Sequence, residues 1–408
     1  MSFLHGLKLI ENNDGGQVLP LQMSSVYGIV GTAEPYAAGS STTADEIAAL
    51  EAAFPLNTPV LVSKASDLAT MADDSYLKRA VEMAWAEQKT YTVVVRTAGK
   101  STETTGEGNS AVTTTVYAAA NVPGTALAGT GIYALKKAKS AVGYAPSLIF
   151  AEFPDEDGNS AKETNWTAIK AALKAVADSL MGIAIIPEAA EPSSAFNDSK
   201  CAYRVYGKVK VAQGANIVSV DPCPVVAGLI AAVDYNDGQW VSPSNHTFKS
   251  VVGVDPALEF DMMDESSQVN TINNYNVACV VNEGGYRLWG NNTSASTTDQ
   301  KWQFLCVKRT SDLIKKTIKE GILWAIDKGI RKNFVDDVTT SVNGVLNELI
   351  TRGAILGGEC WAEVEDNSVN SVKQGIVHFK YKFGPVYPAQ TLIFEEVITD
   401  EYIAEIFN

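Results

Sequence analysis

The residue types that most often perform catalysis are few in this chain and stand far apart. Its three histidines, His5, His246 and His378, lack the spacing of a metal-binding helix or loop. The acidic run DEDGN at 155–159 does not follow the alternating pattern of a calcium-binding loop, and we interpret it as a turn. The chain has no GxxxxGK(S/T), HExxH or GxSxG motif. The sequence therefore predicts no catalytic residue, no cofactor and no metal site, although a three-histidine site assembled by folding stays open.

The cysteines also point away from chemistry. There are five of them, an odd number, and no two form a CxxC pair. This pattern predicts buried free thiols in a reducing compartment, and neither a disulfide framework nor a zinc site. They are Cys201, Cys223, Cys279, Cys306 and Cys360.

A basic segment at 301–332 is the clearest anomaly in the sequence. It contains nine Lys or Arg residues and three acids, a net charge of +6. Since the whole chain has a formal net charge of −15, everything outside the segment sums to −21. The segment therefore predicts a surface that attracts negative charge.

The spacing within this segment predicts a helix with an apolar side and a neighbouring basic side. At about 100° per residue the apolar side is formed by Ile314, Ile318, Ile322 and Ala325. The adjoining arc carries Lys315, Lys316 and Lys319. Two interpretations are open: a solvated surface helix, and a helix that docks against an acidic partner.

Bulk composition limits the possible classes of protein. A chain of 408 residues with 46% hydrophobic residues predicts two or three domains with sizeable cores. The acidic balance argues against nucleic acid as a direct partner, because phosphate binding requires a basic surface. The N-terminus lacks the layout of a signal peptide, and no apolar run reaches the ~20 residues of a membrane span. We therefore expect a soluble protein that is made in the cytoplasm and does not insert into membranes.

The order of elements predicts an α/β fold, α+β overall. Strand-like and helical segments alternate over the first two thirds of the chain, which indicates βαβ units and a mainly parallel sheet. The expected domains are an outer α/β domain at 24–268, with an inserted β-rich lobe at about 98–130, and an inner α+β domain at 269–388.

Extended arms are predicted at both ends, at 1–23 and 389–408. Each contains a strand-like segment that a polar or proline-containing link separates from the rest. Such a segment cannot bury itself locally and must join a sheet elsewhere, in its own subunit or in a neighbour. The residues expected to form these contacts are Phe3, Leu4, Leu7, Leu9, Leu392, Phe394 and Val397.

Several ordered blocks resemble the tail sheath proteins of contractile bacteriophages and the related R-type bacteriocins. The strongest are NEGGYRLWGNNTSA at 282–295, KRTSDLIKKTIKEGILWAIDK at 308–328 and VNGVLNELITRGAILGGECWAE at 342–363. FLHGLKLIENNDGG at the start and VITDEYIAEI at the end also fit. The resemblance touches both ends and the middle of the chain, and the insertion at 99–129 departs from it.

The resemblance implies a structural protein and not an enzyme. Sheath subunits stack as rings around a rigid tail tube, exchange strands with their neighbours and contract to drive the tube through a cell envelope. The implied partners are other copies of the chain, the tail tube protein, and baseplate and tail terminator proteins. The implied location is a virion tail assembled in the host cytoplasm. A bacteriocin or other contractile injection system is an alternative, as is a cytosolic α/β enzyme.

The resemblance also gives the basic segment a partner. Sheath subunits touch the tube through a helix of the C-terminal domain, so acids on the tube would face the lysines. We expect the main contacts at Lys315, Lys316 and Lys319, with a second group at Lys328, Arg331 and Lys332.

Overall fold

A computed structural model describes most of the chain. The described residues are 25–38, 42–99, 101–105, 112–116, 118–154, 160–188, 192, 197–214, 216–296, 298–400, 402–403 and 406. The predicted N-terminal arm, with Phe3, Leu4, Leu7 and Leu9, lies outside them.

Fifteen strands and ten α-helices are formed by the described residues. The strands are β1 Tyr27–Gly31, β2 Pro59–Val62, β3 Thr92–Arg96, β4 Ser101–Thr105, β5 Val112–Val116, β6 Leu148–Glu152, β7 Ile183–Glu188, β8 Ala202–Tyr206, β9 Lys208–Gln213, β10 Asn216–Val220, β11 Val251–Asp255, β12 Val277–Asn282, β13 Tyr286–Trp289, β14 Ile355–Trp361 and β15 Lys380–Pro385. The helices are α1 Ala44–Ala53, α2 Tyr76–Glu87, α3 Ala118–Asn121, α4 Ala138–Val142, α5 Ser160–Leu180, α6 Cys223–Asn236, α7 Gln268–Asn273, α8 Leu305–Gly321, α9 Lys332–Thr351 and α10 Val369–Lys373.

Eight strands form the main sheet in the order β13-β12-β8-β7-β6-β1-β3-β2. Five of its seven strand pairs are parallel, and only the pairs at the two edges, β12 with β13 and β2 with β3, are antiparallel. The central strands are apolar on both faces, as a covered parallel sheet requires. The predicted α/β class with a mainly parallel sheet is confirmed.

Helices cover both faces of this sheet, so the molecule has three layers there. On one face α2 and α6 pack against the inward side chains of the central strands, among them Ile29 and Phe150. On the other face α5 and the 3₁₀ turns at Gly131–Lys137 pack against Val30 and Ile149. Gly228 of α6 permits the close approach to α2, because a Cβ there would lie 2.6 Å from the backbone oxygen of Ala84.

Two smaller sheets extend from this body. β4 and β5 pair antiparallel within the segment that the sequence predicts as an inserted hairpin. β9 pairs antiparallel with both β10 and β11, and this three-stranded sheet contributes Val209, Val211 and Val251 to the core that α2 and α6 share.

The last third of the chain forms a module of α8, α9 and a two-stranded sheet. β14 and β15 pair antiparallel, with Glu359 opposite Lys382. One face of this sheet packs on α9 through Ile355 and Cys360, while Leu313 and Ile314 of α8 complete the core. The α8–α9 module is therefore held together by its own apolar cluster.

The expected boundary between residues 268 and 269 does not separate two sheets. β12 and β13 follow that boundary in sequence, yet β12 pairs parallel with β8 and β13 continues the same sheet. The polar segment at 242–274, which suggested the boundary, contains β11 and α7, and its residues Val251 and Val269 are buried in apolar clusters. The change of architecture comes later, between Trp289 and α8. Among the described residues, no helix is long and apolar enough to cross a bilayer.

Candidate assembly surfaces

The first half of α8 is buried on all sides, in contrast to the surface helix that its charge suggests. Every residue from Leu305 to Ile314 is buried, including Lys308 and Arg309. Lys308 forms an ion pair with Asp312 one turn later in the same helix. Two of the nine basic residues of the segment are therefore neutralised inside the protein, and its outward charge is smaller than the sequence suggests.

Arg309 makes the most extensive of these buried contacts. Its two terminal nitrogens donate to the two carboxylate oxygens of Asp234 at 2.5 Å each, and one of them also donates to Ser25 Oγ at 3.3 Å. Ser25 in turn donates its hydroxyl proton to Asp234. The three residues come from the start of the described chain, α6 and α8, so this ion pair ties the C-terminal module to the three-layer body.

The three lysines expected to be the main contacts share one arc of α8 but have different surroundings. Lys315 lies 5.5 Å above the ring of Trp302 and 3.9 Å from Asp312. Lys316 and Lys319 line a groove of about 760 Å³ between α8 and the segment at 136–147. Lys136 and Lys139 line the same groove, and Lys139 pairs with Glu320. Only Lys319 of the three is exposed.

Burial lowers the pKa of Lys316 to about 8, and nearby Arg309 and Lys308 lower it further against the opposing effect of Asp312 and Glu320. Between about pH 8 and the ordinary lysine value, the unfolded chain therefore binds more protons than the folded one, and the free energy of unfolding rises with pH. We expect this rise to be smaller in Lys316→Met. Denaturant unfolding at about pH 7.5 and about pH 9.5 measures it, with Lys319→Met as the exposed control. Equal pH dependence in the native chain and Lys316→Met would contradict the assignment.

The second group of predicted cations is more accessible. Lys328, Arg331 and Lys332 are all exposed, and none of them has an ion-pair partner within the described ranges. Lys328 and Arg331 lie on the connection from α8 to α9, and Lys332 is the first residue of α9. Buried Ala325 and an edge-on contact between Trp324 and Phe334 hold this region in place. Unlike Lys315 and Lys316, all three of these side chains are exposed.

The C-terminal arm exposes the apolar side chains expected to bind elsewhere. Between residues 386 and 400 the chain forms neither helix nor strand and lies open to solvent. Leu392 is 70% exposed, Phe394 88% and Val397 74%. Exposed apolar side chains contribute no burial free energy to a single subunit. Exposure of this kind is typical of a segment that binds another surface.

The two-stranded sheet β14–β15 offers a matching acceptor. β14 and β15 pair only with each other among the described strands, so each has one unoccupied edge. Leu356 and Tyr381 are exposed on this sheet. A two-stranded sheet is marginal by itself, and open edges of this kind invite further strands.

Sequence reasoning missed the residues that join the two parts of the molecule, Ser25, Asp234 and Arg309. One signal was present: Asp234 directly follows the long apolar run at 225–233. A carboxylate on a buried helix needs a cationic partner, but its identity depends on tertiary contacts.

Comparison with known protein families agrees with the C-terminal division seen in the fold. Residues 128–294 match the phage tail sheath protein central domain, and residues 297–399 match the phage tail sheath C-terminal domain. Among the described residues, no group of His, Cys, Asp and Glu could hold a metal ion.

Full-length relatives and solved structures point the same way. A putative prophage major tail sheath protein of Pseudomonas aeruginosa is 32% identical over 100% of both chains, and the major tail sheath protein of Serratia phage KSP20 is 27% identical over 100% of this chain and 98% of its own. The helical sheath of the anti-feeding prophage in its contracted state has the same fold, with a TM-score of 0.69, 16% identity and coverage of 97% of this chain and 99% of that one. The chain belongs to the phage tail sheath protein family and is a structural subunit of a contractile tail sheath.

Proposed function

We propose that this subunit assembles into stacked rings by donating its terminal arms to the β14–β15 sheets of neighbouring copies. The observation that carries the proposal is the pairing of an exposed apolar arm with a two-stranded sheet that has two unoccupied edges. Main-chain hydrogen bonds supply the affinity of an added strand, and alternate side chains supply its register. Purified protein should therefore form long hollow cylinders as its concentration rises. A chain that stays monomeric under all assembly conditions, with and without its tube, would refute it.

The links between the arms and the folded body suit a contracting lattice. β15 ends at Pro385, and the described residues 386–400, which include Pro388, form no helix or strand. A subunit can then rotate about such a link while its strand stays paired with a neighbour. We expect contraction to change the angles between subunits and to leave the added strands in place.

The tail tube is the proposed partner of the basic surface. Both predicted groups remain candidates, but the accessibility of the side chains favours Lys328, Arg331 and Lys332 over Lys315, Lys316 and Lys319. Lys315 already lies over Trp302, and Lys316 faces its own subunit. Exposed ion pairs contribute only ~0–1 kcal/mol each, so a ring can hold the tube by many weak contacts and release it cooperatively.

We expect Lys328→Glu with Arg331→Glu and Lys332→Glu to weaken extended assembly on the tube more than Lys315→Glu with Lys319→Glu does. The reason is that the native cations should attract acids on the tube, whereas the introduced carboxylates would repel them. Added salt should likewise weaken the native contact. Electron microscopy of sheath formed with and without tube separates the effects. Tube-free sheath should form normally in both variants.

A larger effect from the 315 and 319 pair would assign the contact to α8. If a variant lost tube-free sheath as strongly as sheath on the tube, the defect would lie in folding or in contacts between subunits. The basic side chains would then not be assigned to the tube contact.

We propose that the subunit performs no catalysis and takes no cofactor. Contraction needs no nucleotide if the extended lattice is metastable and the contracted lattice buries more surface, because the energy is then stored during assembly. Membership of a structural protein family supports this view. Contraction of purified particles in buffer without nucleotide is the corresponding test.

The proposed setting is the tail of a phage or prophage particle, assembled in the host cytoplasm with baseplate and tail terminator proteins at its ends. The curated relatives at 25% to 32% identity are phage or prophage sheath proteins, whereas the contracted sheaths of the anti-feeding prophage and of an extracellular contractile injection system share 16% and 14%. Capsid genes beside the coding sequence would support a phage, and their absence would favour a bacteriocin or injection system.

A further inference from the structure

The first described residue and the start of the C-terminal arm both lie beside the start of α8. The described chain begins at Ser25, whose side chain is bound by Asp234 and Arg309. At the other end, the ring of Tyr387 lies 6.1 Å from the ring of Phe304, edge-on, just after β15. Phe304 is the residue before α8, and Arg309 lies five residues further along, about 7.5 Å in a helix. Two segments far apart in sequence are thus anchored within two turns of one helix.

The anchor of the N-terminal segment is firm. Ser25 is 4% exposed, and its carbonyl accepts a hydrogen bond from Thr90 Oγ1 at 2.5 Å. The next residue, Val26, donates its N–H to Ser147 Oγ at 3.2 Å. Contacts with Thr90, Ser147, Asp234 and Arg309 therefore hold the described chain where it begins.

The ion pair between Arg309 and Asp234 is suited to resist pulling. A guanidinium that bonds both oxygens of one carboxylate fixes distance and angle together. Both side chains are almost fully buried, with 5% and 1% of their surfaces exposed, so separating them would leave two charges without partners. A break there costs far more than the rupture of an exposed pair.

We propose that Phe304 and Arg309, at the start of α8, form a mechanical junction between the roots of the two proposed arms, Tyr387 and Ser25. Tension that enters through one arm then has a route through α8 to the other arm, in addition to the strands of the main sheet. This inference rests on the proposed strand exchange, because only arms bound to neighbours carry tension. Arg309, Asp234 and Tyr387 are its positioning residues.

The test removes the contacts among Ser25, Asp234 and Arg309, called the anchor, without leaving an unpaired buried charge. The variant combines Ser25→Ala, Asp234→Leu and Arg309→Met, since a buried ion pair replaced by apolar side chains of similar size need not destabilise the monomer. The matched control, Lys308→Met with Asp312→Leu, removes a buried ion pair from the same helix but touches neither arm root. Contraction is triggered in particles that carry each chain, and the fraction of sheaths that contract without breaking is counted by electron microscopy.

We expect the unbroken fraction to fall several-fold in the anchor variant and to stay near the native value in the control. Tyr387→Ala should produce the same breakage, and it decides the matter if the anchor variant fails to fold, because Tyr387 is 55% exposed and its loss leaves the monomer intact. Tyr36→Ala, at an exposed tyrosine far from α8 in sequence, is its control.

The proposed junction would be wrong if sheaths of the anchor variant and of Tyr387→Ala both contracted without breaking. It would also be wrong if each variant broke as often as its control. Neither result would affect strand exchange. Normal assembly of a chain without arms would instead overturn the proposed function and the junction with it.

Discussion

Deletion of residues 391–408 is expected to abolish polymerisation and to leave a folded monomer. The described residues of this segment contribute no strand or α-helix to the fold, and Leu392, Phe394 and Val397 are largely exposed in the single subunit, so the monomer loses little buried apolar surface. A neighbour would lose a whole strand and the apolar contacts that accompany it. Sedimentation measures assembly, and thermal unfolding measures the fold. We expect a sedimentation profile without large species and a melting temperature within a few degrees of the native value.

Phe394→Asp with Ile398→Asp is the matched point variant. These side chains are 88% and 89% exposed, so we expect the monomer to tolerate the change. Assembly would bury the new carboxylates, and their desolvation costs free energy. A truncated chain that builds normal sheath would refute the role of the arm. Unfolding of the truncated monomer would show that the arm belongs to its own subunit.

Arg309→Met alone is expected to destabilise the monomer by roughly 3–5 kcal/mol. The substitution leaves the carboxylate of Asp234 buried with only the hydroxyl of Ser25 as a partner. Urea unfolding, followed by far-UV circular dichroism, measures the change in the free energy of unfolding.

Combining Arg309→Met with Asp234→Leu should recover most of that loss, because no charge then remains unpaired. The recovery separates the cost of the orphaned carboxylate from the loss of packing around α8. A single variant as stable as the native chain would show that Asp234 finds another partner. A double variant no better than the single one would place the cost in packing.

The local pattern of the sequence predicted the α/β class and the mainly parallel sheet well. The apolar residues at 75–88 have helical spacing and correspond to α2, Tyr76–Glu87, and the β-branched run at 90–97 contains β3, Thr92–Arg96. Alternation of such elements was sufficient for the α/β class, because βαβ units leave few arrangements open. The segment at 201–209 could be helix or strand from its residues, and its two strands, β8 and β9, are set by pairing with distant strands.

The assembly surfaces were predictable only in part. The exposure of the C-terminal arm follows from local features: an apolar strand-like segment beyond prolines. The placement of the lysines does not, because net charge in a helix does not show which cations find internal partners. Lys308 and Arg309 are buried against Asp312 and Asp234, and the latter is 75 residues away. The polar residues at 242–274 predicted a domain boundary near residue 268, but β12 and β13, which follow them, pair within the main sheet. That pairing also depends on contacts between residues far apart in sequence.

Cross-linking of the C-terminal arm to β14 in assembled sheath tests strand exchange most directly. All five native cysteines are buried and burial raises the pKa of each thiol, so new exposed cysteines react selectively. One of residues 392–397 is changed to Cys in turn together with Leu356→Cys, and the sheath is oxidised and separated under denaturing conditions. The account predicts a ladder of covalent oligomers at one or more positions, present in sheath and absent from dilute monomer. Monomer alone at every position would contradict it.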